Sequence, residues 1–214
     1  MCYCCFLNRI NSPLVRREVI NDVRICFIGD SFVNGTGDEQ SLGWAGRLCS
    51  AAANETVSIT YYNLGIRRNT SQDILQRIEN ELSNRLPMSV DSRVVVSFGV
   101  NDTVIEDGRI RVPEHASIAN FEKIIKYLKP KYRVIMVGPP PINDDEHNLR
   151  IKSLSDKLEN KAKSLDIPFI ELFSKLKNDD DYINEIINND GAHPTSKGYK
   201  KLAKIVASSE FWWF

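Results

Sequence analysis

Short runs of β-branched and apolar residues alternate along this chain with amphipathic stretches, and this alternation restricts its fold more than any other feature. The run Val23-Arg-Ile-Cys-Phe-Ile28 is bounded by Gly29. It is too short and too β-branched for a helix, so it reads as a buried strand. Strands are expected near 24–28, 57–62, 93–98, 132–137 and 167–171, and helices near 43–53, 71–86, 116–129, 147–165 and 195–207. Strand and helix in turn give parallel strands joined by helical crossovers. With 214 residues and 42% hydrophobic content the chain can build one sizeable core. Residues 21–214 are therefore expected as a single domain and residues 1–20 as a flexible extension.

In an open parallel sheet, ligands gather at the carboxyl ends of the strands. Ser31 of Gly29-Asp30-Ser31 stands just past the first strand, where a turn can hold its hydroxyl clear of the core. Near the other end, Asp190-Gly-Ala-His193-Pro194 precedes a helix expected to start at Thr195 or Ser196. Asp190 and His193 are three residues apart, so the carboxylate can take Nδ1 and leave Nε2 to face a serine brought in by the fold. The second and third strands end in Asn63-Leu-Gly65 and Gly99-Val-Asn101-Asp102. The backbone N–H groups of Ser31 and Gly65 and the amide of Asn101 would then converge on one oxygen, the composition of an oxyanion hole. Asp30 and Asp102 are expected to support the site by bonding the turns around Ser31 and Gly65.

These four blocks, in this order and over residues 24–206, resemble the GDSL or SGNH hydrolase family. The resemblance implies Ser31 as nucleophile, His193 as general base, Asp190 as its orienting partner, and Ser31, Gly65 and Asn101 as oxyanion donors. It also implies a flavodoxin-like, three-layer α/β/α fold on a five-stranded parallel sheet, with no metal and no cofactor. The expected activity is hydrolysis of small carboxylic esters through an acyl-enzyme; carbohydrate O-deacetylation by the same triad and a non-catalytic flavodoxin-like binding module are the alternatives. One position departs from the family's pattern. Its second block often runs Gly-x-x-Gly-x-Thr, and here Arg68 replaces the second glycine in Gly65-Ile-Arg67-Arg68-Asn69-Thr70. The two arginines read either as solvated loop charges or as a site for an anionic part of a substrate.

Lys plus Arg and Asp plus Glu both number 28, so no general polyanion partner is implied and nucleic acid is not expected as a target. Five cysteines, an odd number, with Cys26 inside a strand, fit a reducing compartment better than a disulfide scaffold. Cys2-x-Cys4-Cys5 lacks a second ligand pair for a metal. Met1 to Leu7 is apolar but short, lacks a basic region before it and is followed at once by Asn8-Arg9, so a cytoplasmic location without stable membrane insertion is expected. His115 and His147 have no carboxylate at triad spacing and read as surface or capping residues. The proline-rich connection 138–147 reads either as a substrate-lining loop or as a strand end with helix-capping acids. The terminal Phe211-Trp-Trp-Phe214 is expected to pack on the protein's own surface or against a second copy of the chain.

Overall fold

A computed structural model describes residues 21–214 of the chain. The expected extension, residues 1–20 with Cys2, Cys4 and Cys5, lies outside the described residues. The strands, numbered in chain order, are β1 (Asn21–Gly29), β2 (Val57–Gly65), β3 (Asp91–Ser97), β4 (Ile105–Glu106), β5 (Arg109–Ile110), β6 (Arg133–Val137) and β7 (Phe169–Ile170). The helices are α1 (Ser31–Asn34), α2 (Gly43–Ala52), α3 (Ser71–Ser83), α4 (Glu114–Leu128), α5 (Asp145–Ser164), α6 (Phe173–Lys177), α7 (Asp180–Ile187) and α8 (Ser196–Ala207). Five of the strands form one parallel sheet in the order β2-β1-β3-β6-β7. Counting the sheet's own strands alone, that is the 2-1-3-4-5 order of the flavodoxin-like fold.

Both faces of the sheet are covered, which is why its central strands are apolar without alternation. Val23, Ile25 and Phe27 of β1 face Trp44 and Leu48 of α2 and Tyr199 and Leu202 of α8. Cys26 and Ile28 point the other way, against α3, α4 and α5 through Ile74, Phe121 and Leu154. Burial of side chains of this size contributes roughly 1.5–3 kcal/mol each. The edge strand β2 is half exposed and alternates accordingly.

The register places the turns that follow β1, β2 and β3 side by side. Gly29 pairs with Gly65 on β2 and with Ser97 on β3, so all three strands end level. The chain leaves β1 toward β2 and returns to β3 on the opposite side, which opens a crevice between the ends of β1 and β3. Gly29 and Gly65 permit the tight approach there: a Cβ on Gly29 would collide with the carbonyl of Ser97, and one on Gly65 with the backbone of Asn34 and Asp30.

Several elements differ from the sequence expectation. The third helix stops at Ser83, not 86, because Pro87 disfavours helical backbone at Leu86. The last strand shrinks to Phe169–Ile170 because Pro168 carries no N–H for the ladder and β6 is its single neighbour. The β4–β5 hairpin was not expected, although Asp107-Gly108, both at positive φ, is a strong two-residue turn signal. Helix α7 was hidden in an Asp- and Asn-rich stretch. Asp179 caps it by accepting from the Tyr182 N–H, and Tyr182 and Ile186, four apart, bury its inner face.

The aromatic C-terminus lies against the chain's own sheet. Trp212 is buried 6.4 Å from Phe27, and the Trp213 and Phe214 rings lie 5.3 and 4.7 Å from the Arg93 guanidinium carbon. Among the described residues no helix is long and apolar enough to cross a membrane.

Candidate active site

Ser31 opens the four-residue helix α1, whose cap Asp30 accepts from the Phe32 N–H at 2.9 Å. From a position 162 residues away in sequence, His193 Nε2 reaches Ser31 Oγ at 2.7 Å. Its Nδ1 lies 2.7 Å from Asp190 Oδ2. The other Asp190 oxygen accepts from the Ala192 and His193 N–H groups at 3.0 and 2.7 Å, a turn that Gly191 closes at φ +82°. With hydrogen on Nδ1 donated to Asp190, the Nε2 lone pair faces the serine hydroxyl. Burial raises the Asp190 pKa, but its three hydrogen bonds to the turn and imidazole outweigh that and hold the carboxyl below the usual range. The Phe32 ring lies 4.9 Å from the His193 ring and limits its rotation.

The turns are tied together from behind. Glu39, beyond the turn that carries Ser31, accepts from the N–H and hydroxyl of Ser196 at the start of α8, and the Tyr199 hydroxyl donates to Thr36 O at 2.7 Å. These bonds join the segment after Ser31 to the helix after His193. Arg77 of α3 reaches under the sheet edge: Nη2 donates to Gly29 O and Leu64 O at 2.9 and 2.7 Å, and Nε to Asn69 Oδ1 at 2.8 Å. One guanidinium thus fastens the ends of the strands that carry Ser31 and Gly65. In the sequence Arg77 looks like any charge on an amphipathic helix, so no local signal marked it.

The three groups expected to bind an oxyanion differ in their partners. The Ser31 N–H takes no intramolecular acceptor among the described residues. Asn101 Nδ2 donates to Oδ2 of Asp30, the residue before Ser31, at 3.3 Å and keeps a second hydrogen for a ligand. The Gly65 N–H donates to Asn63 Oδ1 at 3.0 Å, so an oxyanion must share that hydrogen or displace Asn63. Asn63 also donates to Val33 O at 2.9 Å, linking this turn to α1. Asp102 corrects the expectation that it bonds the turns around Ser31 and Gly65. Its carboxylate, fully buried, accepts from the Ser71 N–H at 2.7 Å and the Ser117 hydroxyl at 2.6 Å, pinning the loop to α3 and α4. Burial pushes its pKa up.

Other expectations also meet specific partners. Arg68 pairs with Glu106 at 2.6 Å, and its φ of +66° keeps the left-handed backbone that glycine would adopt there. Asp144 caps α5 and Asp145 pairs with Lys177, so these acids of the 138–147 connection serve helix capping and pairing. His115 is exposed on α4. The His147 ring is not on the surface: it is buried with Nε2 2.9 Å from Thr103 Oγ1 and 3.2 Å from Val100 O.

Asp30 carries a pH prediction. Burial pushes its carboxyl from 3.8 up to about 7, against the bonds from Phe32 and Asn101. Below the unfolded value both states hold the proton. Between about 4 and 7 the unfolded chain ionises first, so stability falls as pH rises, by about 4 kcal/mol in all, and then levels off. Urea midpoints of wild type and Asp30→Asn at pH 5 and pH 8 check this: wild type is expected to lose more stability across the interval. Equal losses would show that Asp30 does not titrate there.

A profile of the GDSL-like lipase/acylhydrolase family matches residues 27–201. Among solved structures, a member of the lipolytic G-D-S-L family from Veillonella parvula aligns at a TM-score of 0.70 and 21% identity, over 88% of this chain and 98% of that one. A lipase/acylhydrolase from Enterococcus faecalis aligns at 0.68 and 24%, covering 86% and 92%. A variant of an acetyl-xylooligosaccharide esterase from Geobacillus aligns at 0.67 and 19%, covering 88% and 95%. No curated protein matches.

Proposed function

The chain belongs to the GDSL-like lipase/acylhydrolase family and is a hydrolase of ester bonds, and from that premise we propose that it cleaves short-chain carboxylic esters through an acyl-enzyme on Ser31. The observation that carries this reading is the relay from Ser31 Oγ through His193 to Asp190, with both contacts at 2.7 Å. As Oγ attacks the ester carbonyl, His193 Nε2 takes its proton, and the Asp190 carboxylate faces the imidazolium. The tetrahedral oxygen takes hydrogen bonds from the Ser31 N–H, Asn101 Nδ2 and Gly65 N–H. The acyl carbon–oxygen bond then breaks, and the alcohol leaves with the proton from His193. Water repeats the sequence, frees the acid and restores Ser31.

Phe32 and Val100, the chain neighbours of Ser31 and Asn101, are packed into one buried cluster with Ile142, Ile151 and Phe173, and the reading takes the acyl group to be small. The Geobacillus esterase, named for acetyl-xylooligosaccharide, makes an acetylated sugar the second substrate to try.

A p-nitrophenyl ester series from acetate to decanoate tests the reading. Turnover is expected to peak at acetate to butyrate and fall at least about 10-fold by decanoate. A maximum at octanoate or decanoate would overturn the short-acyl assignment. Acetate activity exceeded by activity on acetylated xylo-oligosaccharides would move it to a carbohydrate deacetylase.

A further inference from the structure

Asn101 sits on a short loop, Gly99 to Thr103, held on two sides. From one side α3 and α4 grip Asp102 through Ser71 and Ser117. From the other, the first two turns of α5 supply a second grip that no catalytic motif in the sequence contains. His147 Nε2 lies 3.2 Å from the carbonyl of Val100, and Arg150 Nε donates to the carbonyl of Thr103 at 3.0 Å. Those two carbonyls flank Asn101 and Asp102 on either side. The Val100 oxygen has lone pairs and no hydrogen, so its contact requires the hydrogen of His147 on Nε2. The same Nε2 is 2.9 Å from Thr103 Oγ1, whose hydroxyl lies 3.2 and 3.0 Å from the carbonyls of Gly99 and Val100. The ring and the hydroxyl therefore close one hydrogen-bonded set around the base of the loop.

The grip is itself firmly seated. Asn148, the next residue on α5, donates to Ile142 O at 2.6 Å and accepts from Ile142 N at 2.9 Å, closing the connection ahead of the helix. Asn143 N then donates at 2.9 Å to the carbonyl of Gly191, inside the Asp190–His193 turn. One segment thus touches the loop of the amide donor and the loop of the base. We propose that His147 is a positioning residue of the oxyanion site: its ring, set against Val100 and Thr103, fixes the loop that presents Asn101 to the tetrahedral oxygen.

This role rests on the Ser31 hydrolase reading, and it acts through Asn101 while touching neither substrate nor Ser31. Its signature is dependence on Asn101. Asn101→Ala is expected to lower kcat on the order of 10²–10³-fold. His147→Ala, by letting the loop shift, is expected to cost about 10-fold in kcat with KM within about 2-fold. His147→Gln places an amide N–H near the position of Nε2 and is expected to recover most of that loss. In the Asn101→Ala background, adding His147→Ala is expected to change kcat less than about 2-fold. A residue that only stabilises the fold would cost the same factor in both backgrounds.

The measurements are kcat and KM on p-nitrophenyl acetate, and the rate at which a fluorophosphonate labels the active serine, read by mass. The second readout also forms a tetrahedral adduct and needs no natural substrate. Thr103→Val, close in shape and lacking the hydroxyl, carries the same cycle if His147→Ala does not fold. Loss in the wild-type background that vanishes without Asn101 supports the proposal. Wild-type kcat in His147→Ala, or equal losses in both backgrounds, overturns it. Ser31→Ala, run alongside, distinguishes this from failure of the hydrolase reading, since only that failure would leave ester turnover and labelling independent of Ser31.

Discussion

Ser31→Ala is expected to reduce ester turnover on the order of 10⁵-fold or more while leaving the fold intact. The size follows from what the hydroxyl does. Without Oγ no acyl-enzyme forms, and water at that position lacks both the covalent step and the 2.7 Å alignment on His193. What remains is binding and the oxyanion donors. The fold survives because little depends on this one oxygen: its hydrogen bond is to His193, and the imidazole stays held by Asp190 and packed on Phe32. Thermal stability is therefore expected within about 1 kcal/mol of wild type. Two measurements decide the matter together: kcat on p-nitrophenyl acetate, and labelling by a fluorophosphonate, in which Oγ bonds phosphorus and fluoride leaves. Wild type should gain one phosphonyl group and the variant none. Wild-type turnover in pure Ser31→Ala protein would remove Ser31 from the mechanism.

How much of this was legible in the sequence depended on how locally each feature is encoded. Strands β1, β3 and β6 are buried on both faces, so each reads as a near-continuous apolar run bounded by turn residues. The turns bearing Ser31, Asn101, Asp190 and His193 are short motifs set by strand ends and a helix start, and the parallel sheet brings them to one edge. Arg77 and His147 carry no such local mark. Arg77 acts on carbonyls 48 and 13 residues away, and His147 on atoms 44 and 47 residues away. Such partners exist only once the chain has folded. His147 misled further because the acids before it signalled a helix cap, a reading correct for its backbone N–H and silent about its ring. The engagement of the Gly65 N–H by Asn63 was hidden for a different reason: both residues were in view, but the direction of a side-chain amide is not written in its spacing.

The second large effect expected is at Asp190. Asp190→Asn should lower kcat about 10⁴-fold near neutral pH, with KM little changed, although it replaces one oxygen by an NH₂ group. The turn dictates which oxygen. Oδ1 accepts from the Ala192 and His193 N–H groups, so in the variant the amide oxygen must stay there. The NH₂ then takes the place of Oδ2, 2.7 Å from Nδ1, and can only donate. Nδ1 must accept, its hydrogen moves to Nε2, and Nε2 then has no lone pair for the Ser31 proton. The ring stays in place in the wrong tautomer. Asp190→Ala imposes no tautomer: water can accept from Nδ1, since the Asp190 side chain is 44% exposed. Asp190→Ala is therefore expected to retain more activity than Asp190→Asn, the reverse of the order expected if charge or turn geometry alone mattered. Single-turnover acylation rates at pH 7 for wild type and both variants measure it. Asp190→Asn acylating at the wild-type rate would mean that something other than this carboxylate sets the tautomer of His193.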